Sequence, residues 1–157
     1  MKVLIIYYSK TGNTKKLADL IKEYLKEEGV DVNIKKVEET SPSELLDYEG
    51  IIIGTPTYYG NSAWQIKKLL DESVSLHGNL DGKVGGAFTS SANIGGGNET
   101  AILSILNAML IHGMIVQGDP QGDHYGPVSI GTPDERVRRN CKRFAKRFAK
   151  LLKKIYR

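Results

Sequence analysis

Apolar and polar positions follow two alternating rhythms along this chain. "KVLIIYY" (2–8) and "GIIIG" (50–54) are almost continuous apolar runs, as expected of strands buried on both faces of a parallel sheet. "VDVNIKKV" (30–37) alternates and suits an edge strand, while "KVGGAFTS" (83–90) and "MIVQG" (114–118) read as the last two strands. Between them the period changes to that of a helix. Leu17, Leu20, Ile21, Tyr24 and Leu25 mark one helix, stopped at Gly29. "SPSE" (41–44) opens a short one through Leu45 and Leu46. Ser62 and Gln65 form an expected capping box ahead of Ile66, Leu69 and Leu70, with Trp64 turned to the core. Ile102, Ile105, Leu106, Met109 and Leu110 mark a further helix, ended by Gly113. After a Gly- and Pro-rich loop (118–131), "TPDE" (132–135) supplies an N-cap, a Pro at the first position and a capping-box Glu for the terminal helix.

Five alternations of strand and helix predict a single domain over residues 1–157. The expected fold is a three-layer α/β sandwich around a five-stranded parallel sheet of order 2-1-3-4-5. In that order the loops leaving strands 1, 3 and 4 emerge together at the carboxyl edge, beside the switch point. They are "SKTGNT" (9–14), "TPTYYGN" (55–61) and "SSANIGGGN" (90–98), the three loops richest in glycine and hydroxyl groups. Their convergence on one crevice is the main sequence evidence for a ligand site.

"YYSKTGNT" (7–14) joins a buried strand to a helix N-terminus, where free amides and the helix dipole favour an anion. Ser9, Thr11, Asn13 and Thr14 add polar groups without a buried cation, which suits a phosphate monoester held permanently. A triphosphate-binding loop would end in Gly-Lys-Ser/Thr, and a dinucleotide loop would carry two more glycines; this chain has neither. A plain capped helix start with incidental hydroxyls is the alternative for this stretch alone.

Composition narrows the class. A chain of 157 residues with 40% apolar and 25% charged residues reads as globular, and no apolar run approaches the roughly 20 residues of a membrane span. Without a signal-peptide pattern the expected location is cytoplasmic. The single Cys141 allows no internal disulfide, falls at an apolar helical position and is expected to be inert; no cluster has metal-ligand spacing. The net charge of +4 conceals an asymmetry. Up to Glu135 there are 18 acidic and 11 basic residues, a net of −7, and the other 11 basic residues lie between Arg136 and Arg157 with no acid. Such a helix either packs its apolar stripe on the core or seeks an anionic partner.

"S-x-T-G-N-T" after a buried first strand resembles the phosphate-binding signature of the flavodoxin-like proteins, which bind flavin mononucleotide (FMN). "GTPTYYGNSAWQIKKLLD", "GGAFTSSANIGGGNETAILSILNAMLIHGMIVQG" and "YGPVSIGTPDE" resemble more specifically the FMN-dependent NAD(P)H:quinone oxidoreductases known as Trp-repressor-binding proteins, over essentially the whole chain. The resemblance implies that Ser9, Lys10, Thr11, Gly12, Asn13 and Thr14 hold the FMN phosphate. It implies that Pro56, Thr57, Tyr58, Tyr59 and Gly60 line one side of the isoalloxazine ring, and that Ser90, Ser91, Ala92, Asn93, Ile94, Gly95, Gly96 and Gly97 wrap its pyrimidine end. His112, in "HGM", matches a histidine of the group near its flavin site and is the catalytic candidate. His124 and Tyr125 belong to a segment expected to cover the flavin or reach a neighbouring subunit.

The chain also departs from those relatives. "EETSPSELLDYEG" (38–50) is compact where they carry an insertion, Thr11 replaces an aromatic residue, and His77 stands near the position of an indole. Three functional classes follow. One is an enzyme taking electrons from NAD(P)H through FMN to a quinone-like acceptor, as a dimer or tetramer. Another is a carrier docking to other redox proteins, which the acidic body suits. The third is an interaction module whose basic helix binds nucleic acid or a membrane, although no nucleic-acid partner and no membrane span are expected.

Overall fold

The computed structural model describes all 157 residues. In chain order its elements are β1 (Lys2–Tyr7), α1 (Asn13–Glu27), β2 (Asp31–Lys36), β3 (Gly50–Pro56), α2 (Trp64–Glu72), β4 (Val84–Ser91), α3 (Asn98–Ile111), β5 (Ile115–Val116), β6 (Val128–Ile130) and α4 (Glu135–Ile155). The sheet is parallel, in the order β2-β1-β3-β4-β5, with β6 also paired to β4. The expected three-layer sandwich and its strand order are therefore present.

The continuous apolar runs have a direct cause: alternate residues of β1, β3 and β4 face opposite layers. Val3, Ile5, Ile52 and Phe88 pack with Leu17, Leu25, Val137 and Phe148 of α1 and α4. Leu4, Ile6, Ile51, Ile53 and Ala87 pack with Ile66, Ile102, Ile105 and Met109 of α2 and α3. Cys141 lies fully buried in the first cluster, and desolvation pushes its thiol up to about 12, so it is unreactive as expected.

Glycines in the central strands clear space for aromatic rings. A Cβ on Gly54 would stand 2.1 Å from Phe88 Cζ. One on Gly86 would stand 2.7 Å from Phe144 Cζ, and one on Gly50 2.8 Å from Phe148 Cε1. These glycines let three phenylalanines lie against the sheet.

The fifth strand position differs from expectation. Only Ile115 and Val116 pair with the start of β4, and β6 (residues read as loop from the sequence) pairs with its end. Residues 117–127 leave the sheet between the two pieces. They are tied to α4 by Asp119, which accepts both from Arg143 Nε and from Arg143 Nη2 (2.8 Å), and by Arg147 Nη2 donating to Gly118 O at 2.8 Å.

Three helix starts also differ. The short helix expected from 41 is a 3-10 helix over residues 42–47, with a capping box between Ser41 and Glu44. Ser62 and Gln65 form no box: the Ala63 amide donates to Thr55 Oγ1 at 2.9 Å, Ala63 becomes the cap, and Trp64 is turned outward, 69% exposed. α4 starts later than "TPDE" suggests, because Asp134 rather than Thr132 caps it by accepting from the Val137 amide at 2.9 Å.

Two measurements test this packing. Gly54→Ala overpacks the fully buried Phe88 ring and is expected to cost about 1–3 kcal/mol, read as a lower urea midpoint. Arg143 holds the Asp119 carboxyl at about 2 against an ordinary 3.8. The folded chain keeps that charge to lower pH than the unfolded chain, so the tether contributes fully above about pH 4 and is lost as the pH falls toward 2. Amide exchange of residues 117–127 is expected to rise over that interval in wild type, and Asp119→Asn is expected to show the raised exchange already at neutral pH.

Candidate functional site

The carboxyl ends of β1, β3 and β4 release three loops that meet, joined by hydroxyl groups buried in the sheet itself. Thr14 Oγ1 and Ser90 Oγ are 2.8 Å apart, linking the loop after β1 to the end of β4. Thr57 Oγ1 and Thr89 Oγ1 are 2.9 Å apart, the Thr57 amide donates to Ser90 O at 2.8 Å, and Thr89 Oγ1 donates to Thr55 O at 2.6 Å. Thr55 and Thr89 are fully buried, so each depends on these bonds to offset its desolvation. Sequence reading missed both residues; a hydroxyl inside an otherwise apolar strand end was the available signal.

The first loop is an open anion cradle. Gly12 takes φ +100, its amide donates to Ser9 Oγ at 3.1 Å, and a Cβ there would meet nothing within 4 Å. The amides of Thr11, Asn13, Thr14 and Lys15 donate to no protein acceptor, and they stand at the N-terminus of α1. The nearby cations do not enter the cradle: Lys10 is exposed, and Lys15 is drawn to Asp19 at 2.7 Å. Amides and hydroxyls without a buried cation fit a phosphate monoester bound along with the rest of a larger molecule.

The second and third loops make contact through glycine. Tyr58 and Asn61 exchange two backbone bonds of 3.0 Å, closing a tight turn with Tyr59 at φ 50 and Gly60 at φ 73. Tyr59 is fully exposed at the tip and Tyr58 is 40% exposed; partial burial and the neighbouring Tyr8 raise the Tyr58 phenol, which stays neutral near pH 7. Gly97 has φ +89, and a Cβ on it would lie 2.4 Å from Gly60 Cα. In the third loop Ser91 Oγ donates to Asn93 O at 3.0 Å, and the Gly96 amide donates to the same carbonyl at 3.3 Å. The amides of Ala92, Asn93, Ile94, Gly95 and Gly97 have no protein acceptor. A flat ring edge carrying carbonyl and ring-nitrogen acceptors fits such a row of amides.

A fourth wall comes from the split fifth strand. The Gly131 amide donates to Ser91 O at 2.9 Å, and Thr132 Oγ1 approaches Asn13 Oδ1 at 3.4 Å, bringing this segment to both the first and third loops. Outside the third loop lies an open groove of about 770 Å³, lined among others by Ile94, Gly95, Thr100, His124, Tyr125 and Ile130. The structure thus brings Ser9–Thr14, Pro56–Gly60, Ser90–Gly97 and Tyr125 to one edge of the sheet.

His112 is not brought there. α3 begins at this edge and its 14 residues carry the chain about 21 Å to the opposite one. His112 is buried there, Nε2 at 2.8 Å from Ser73 Oγ, with Nδ1 unpartnered; burial first, then His77, lowers its pKa. The match to "HGM" singled out His112 in sequence, and within one chain it lies at the edge opposite the three loops, because position in the motif does not reveal where a helix ends. His124 lies beside the groove instead, with Nδ1 at 2.7 Å from Asp119 O.

A parallel 2-1-3-4-5 sheet with an anion cradle after β1 and two ring-edge loops at the switch point defines a flavodoxin-type α/β protein, whose cofactor is FMN. The chain belongs to the flavodoxin family, whose model matches residues 5–100. It is 40% identical to a flavodoxin of Clostridium saccharobutylicum, over 99% of this chain and all of that one. It is 34% identical to an NAD(P)H dehydrogenase (quinone) of Archaeoglobus fulgidus, over 98% of both chains. Among solved structures, a flavodoxin from the domain Archaea superposes with a TM-score of 0.80 at 30% identity, covering 98% of this chain and 99% of that one. The sequence resemblance is therefore borne out at the level of family and cofactor.

Substitutions at the loop contacts separate binding from folding. Thr14→Val removes a hydroxyl of the cradle and its bond to Ser90; FMN affinity is expected to fall about tenfold, for a loss of about 1–1.5 kcal/mol, with an unchanged far-UV spectrum. Gly97→Ala meets Gly60 and a left-handed φ together, so a fluorescence titration with FMN is expected to show a loss of about fivefold or more, as about 1–3 kcal/mol of strain requires.

Proposed function

We propose that this protein is an FMN-dependent NAD(P)H oxidoreductase that passes electrons to a quinone or similar small acceptor. The observation that carries the reading is the groove of about 770 Å³ beside the third loop, roomy enough for a small planar molecule. In this reading Ser9, Thr11, Asn13 and Thr14 hold the FMN phosphate through hydroxyls, side-chain amide and backbone amides, with Gly12 leaving the approach open and Lys10 at the rim. Pro56, Thr57, Tyr58, Tyr59 and Gly60 flank one side of the ring. The stretch Ser90–Gly97, including Ala92, Asn93, Ile94, Gly95 and Gly96, takes its polar edge.

FMN supplies the reversible uptake and release of electrons. The protein's share is positional and electrostatic. Unpaired amides of the third loop are fixed dipoles aimed at a site where negative charge can develop, and no side chain must move to provide them. Ile94, Tyr125 and Ile130 give an acceptor apolar walls, and Tyr125 flanks its entrance. The Asp119 carbonyl accepts from His124 Nδ1–H, which fixes the tautomer of a side chain that lines the groove. His112, engaged with Ser73, serves the helix end. Assembly as a dimer or tetramer is part of the proposal, favoured by the exposed, apolar Val74 and Ile111, which line one surface depression.

The carrier reading is favoured by a separate observation, the net −7 of the body before the terminal helix, a charge suited to steering toward larger redox proteins. Anaerobic stopped-flow mixing of the FMN-loaded protein with NADH, and separately with NADPH, distinguishes the two. Bleaching of the flavin absorbance within about a second by either nucleotide, followed by recovery on adding a soluble quinone, is expected of the enzyme. A flavin that neither nucleotide bleaches overturns the oxidoreductase and leaves the carrier.

A further inference from the structure

α4 lies along one face of the molecule, between α1 and the 117–127 excursion. Val137, Cys141, Ala145, Phe148 and Leu152 form its buried stripe. On the opposite side Arg139, Lys142, Lys146, Lys150, Lys153 and Arg157 follow one another at steps of three and four residues. Over the helical part, from Arg139 to Lys153, that spacing places them on one line, a crest about 21 Å long, and Arg157 follows just past the helix end. Lys142 reaches Glu27 at 3.5 Å, and Lys153 donates to the Glu28 carbonyl at 2.7 Å. Arg139, Lys146, Lys150 and Arg157 meet no carboxylate. Like charges one turn apart disfavour a helix, so the crest does not serve the stability of α4, which the buried stripe anchors.

We propose that this crest docks the protein on an anionic lipid bilayer, its cations meeting the phosphate head groups. The shape of the charge selects this partner. Carboxylates flank the helix on both shoulders: Glu27 stands on one side, and Asp119 and Asp123, paired with Arg143 and Arg136, stand on the other. A positive crest between such shoulders suits a plane. The walls of a duplex groove would instead bring phosphates against the carboxylates.

The remaining partners fit less well. No exposed aromatic side chain stands between Arg139 and Lys153 to stack a base, as single strands require. Four of its six cations are lysines, which protein interface cores avoid. Ile155 and Tyr156, both partly exposed, sit at its C-terminal end, where an apolar body with a polar tip suits the head-group layer. No helix is long and apolar enough to cross a membrane, so the contact is peripheral and reversible. The docking surface stands apart from the crevice and holds whichever acceptor the flavin serves.

The test is co-sedimentation of the FMN-loaded full chain with sucrose-filled vesicles of phosphatidylglycerol and phosphatidylcholine, compared with phosphatidylcholine alone. Binding to the anionic vesicles only, abolished by high salt, is expected. The triple variant Arg139→Gln, Lys146→Gln, Lys150→Gln is expected to lower the partition coefficient about 100-fold while retaining FMN. Should that variant lose FMN, Lys146→Gln alone is expected to lower it about fivefold. The proposal is overturned by failure to bind anionic vesicles at low salt, by equal binding to neutral ones, by a crest variant that binds like wild type, or by tighter binding to duplex DNA in the same buffer.

Discussion

The fit of three phenylalanine rings over strand glycines is the constraint on which the rest of the structure depends. Gly50, Gly54 and Gly86 leave the centre of the sheet bare on one face, and Phe88, Phe144 and Phe148 fill the space. Two of those rings belong to α4, so the terminal helix is seated by the sheet's missing side chains. Because the same strands are buried on their other face by α2 and α3, no central position is left for a polar group except at the strand ends. There Thr55, Thr89 and Ser90 appear, and there the loops are joined.

This arrangement explains why the ligand site is both open and preset. Each loop has its own hydroxyl or glycine contact with the next: Thr14 with Ser90, Thr57 with Thr89, Gly60 against Gly97. The backbone amides between those contacts remain unspent. A site built from fixed amides holds an anionic, acceptor-rich cofactor without a buried cation and needs little reorganisation when charge develops. Such a frame serves an enzyme and a carrier equally, which is why the distinction falls on the surroundings of the ring, where the groove near Tyr125 and His124 lies.

The split fifth strand gives the molecule its second region of interest. By leaving the sheet, residues 117–127 form one wall of the groove and, through Asp119, one shoulder of α4. The excursion thus joins the crevice side of the fold to the basic helix, through Asp119 with Arg143 and Asp123 with Arg136.

The layers, the strand order, the three loops and the family were legible along the chain, because apolar runs, helical spacing and short glycine- and hydroxyl-rich motifs are local signals. It also placed Cys141 in the core and separated the basic helix from the acidic body. The remaining features depend on partners distant in the chain. The Ala63 amide turned to Thr55, which undid the box at Ser62 and turned Trp64 outward. Residues 128–130 became a strand because the end of β4 had unpaired backbone to offer. His112 went to the far edge because α3 runs the full depth of the sheet, a length that carries no motif. Hydrogen bonds and sheet pairing close over long sequence distances, and a pattern read a few residues at a time cannot contain them.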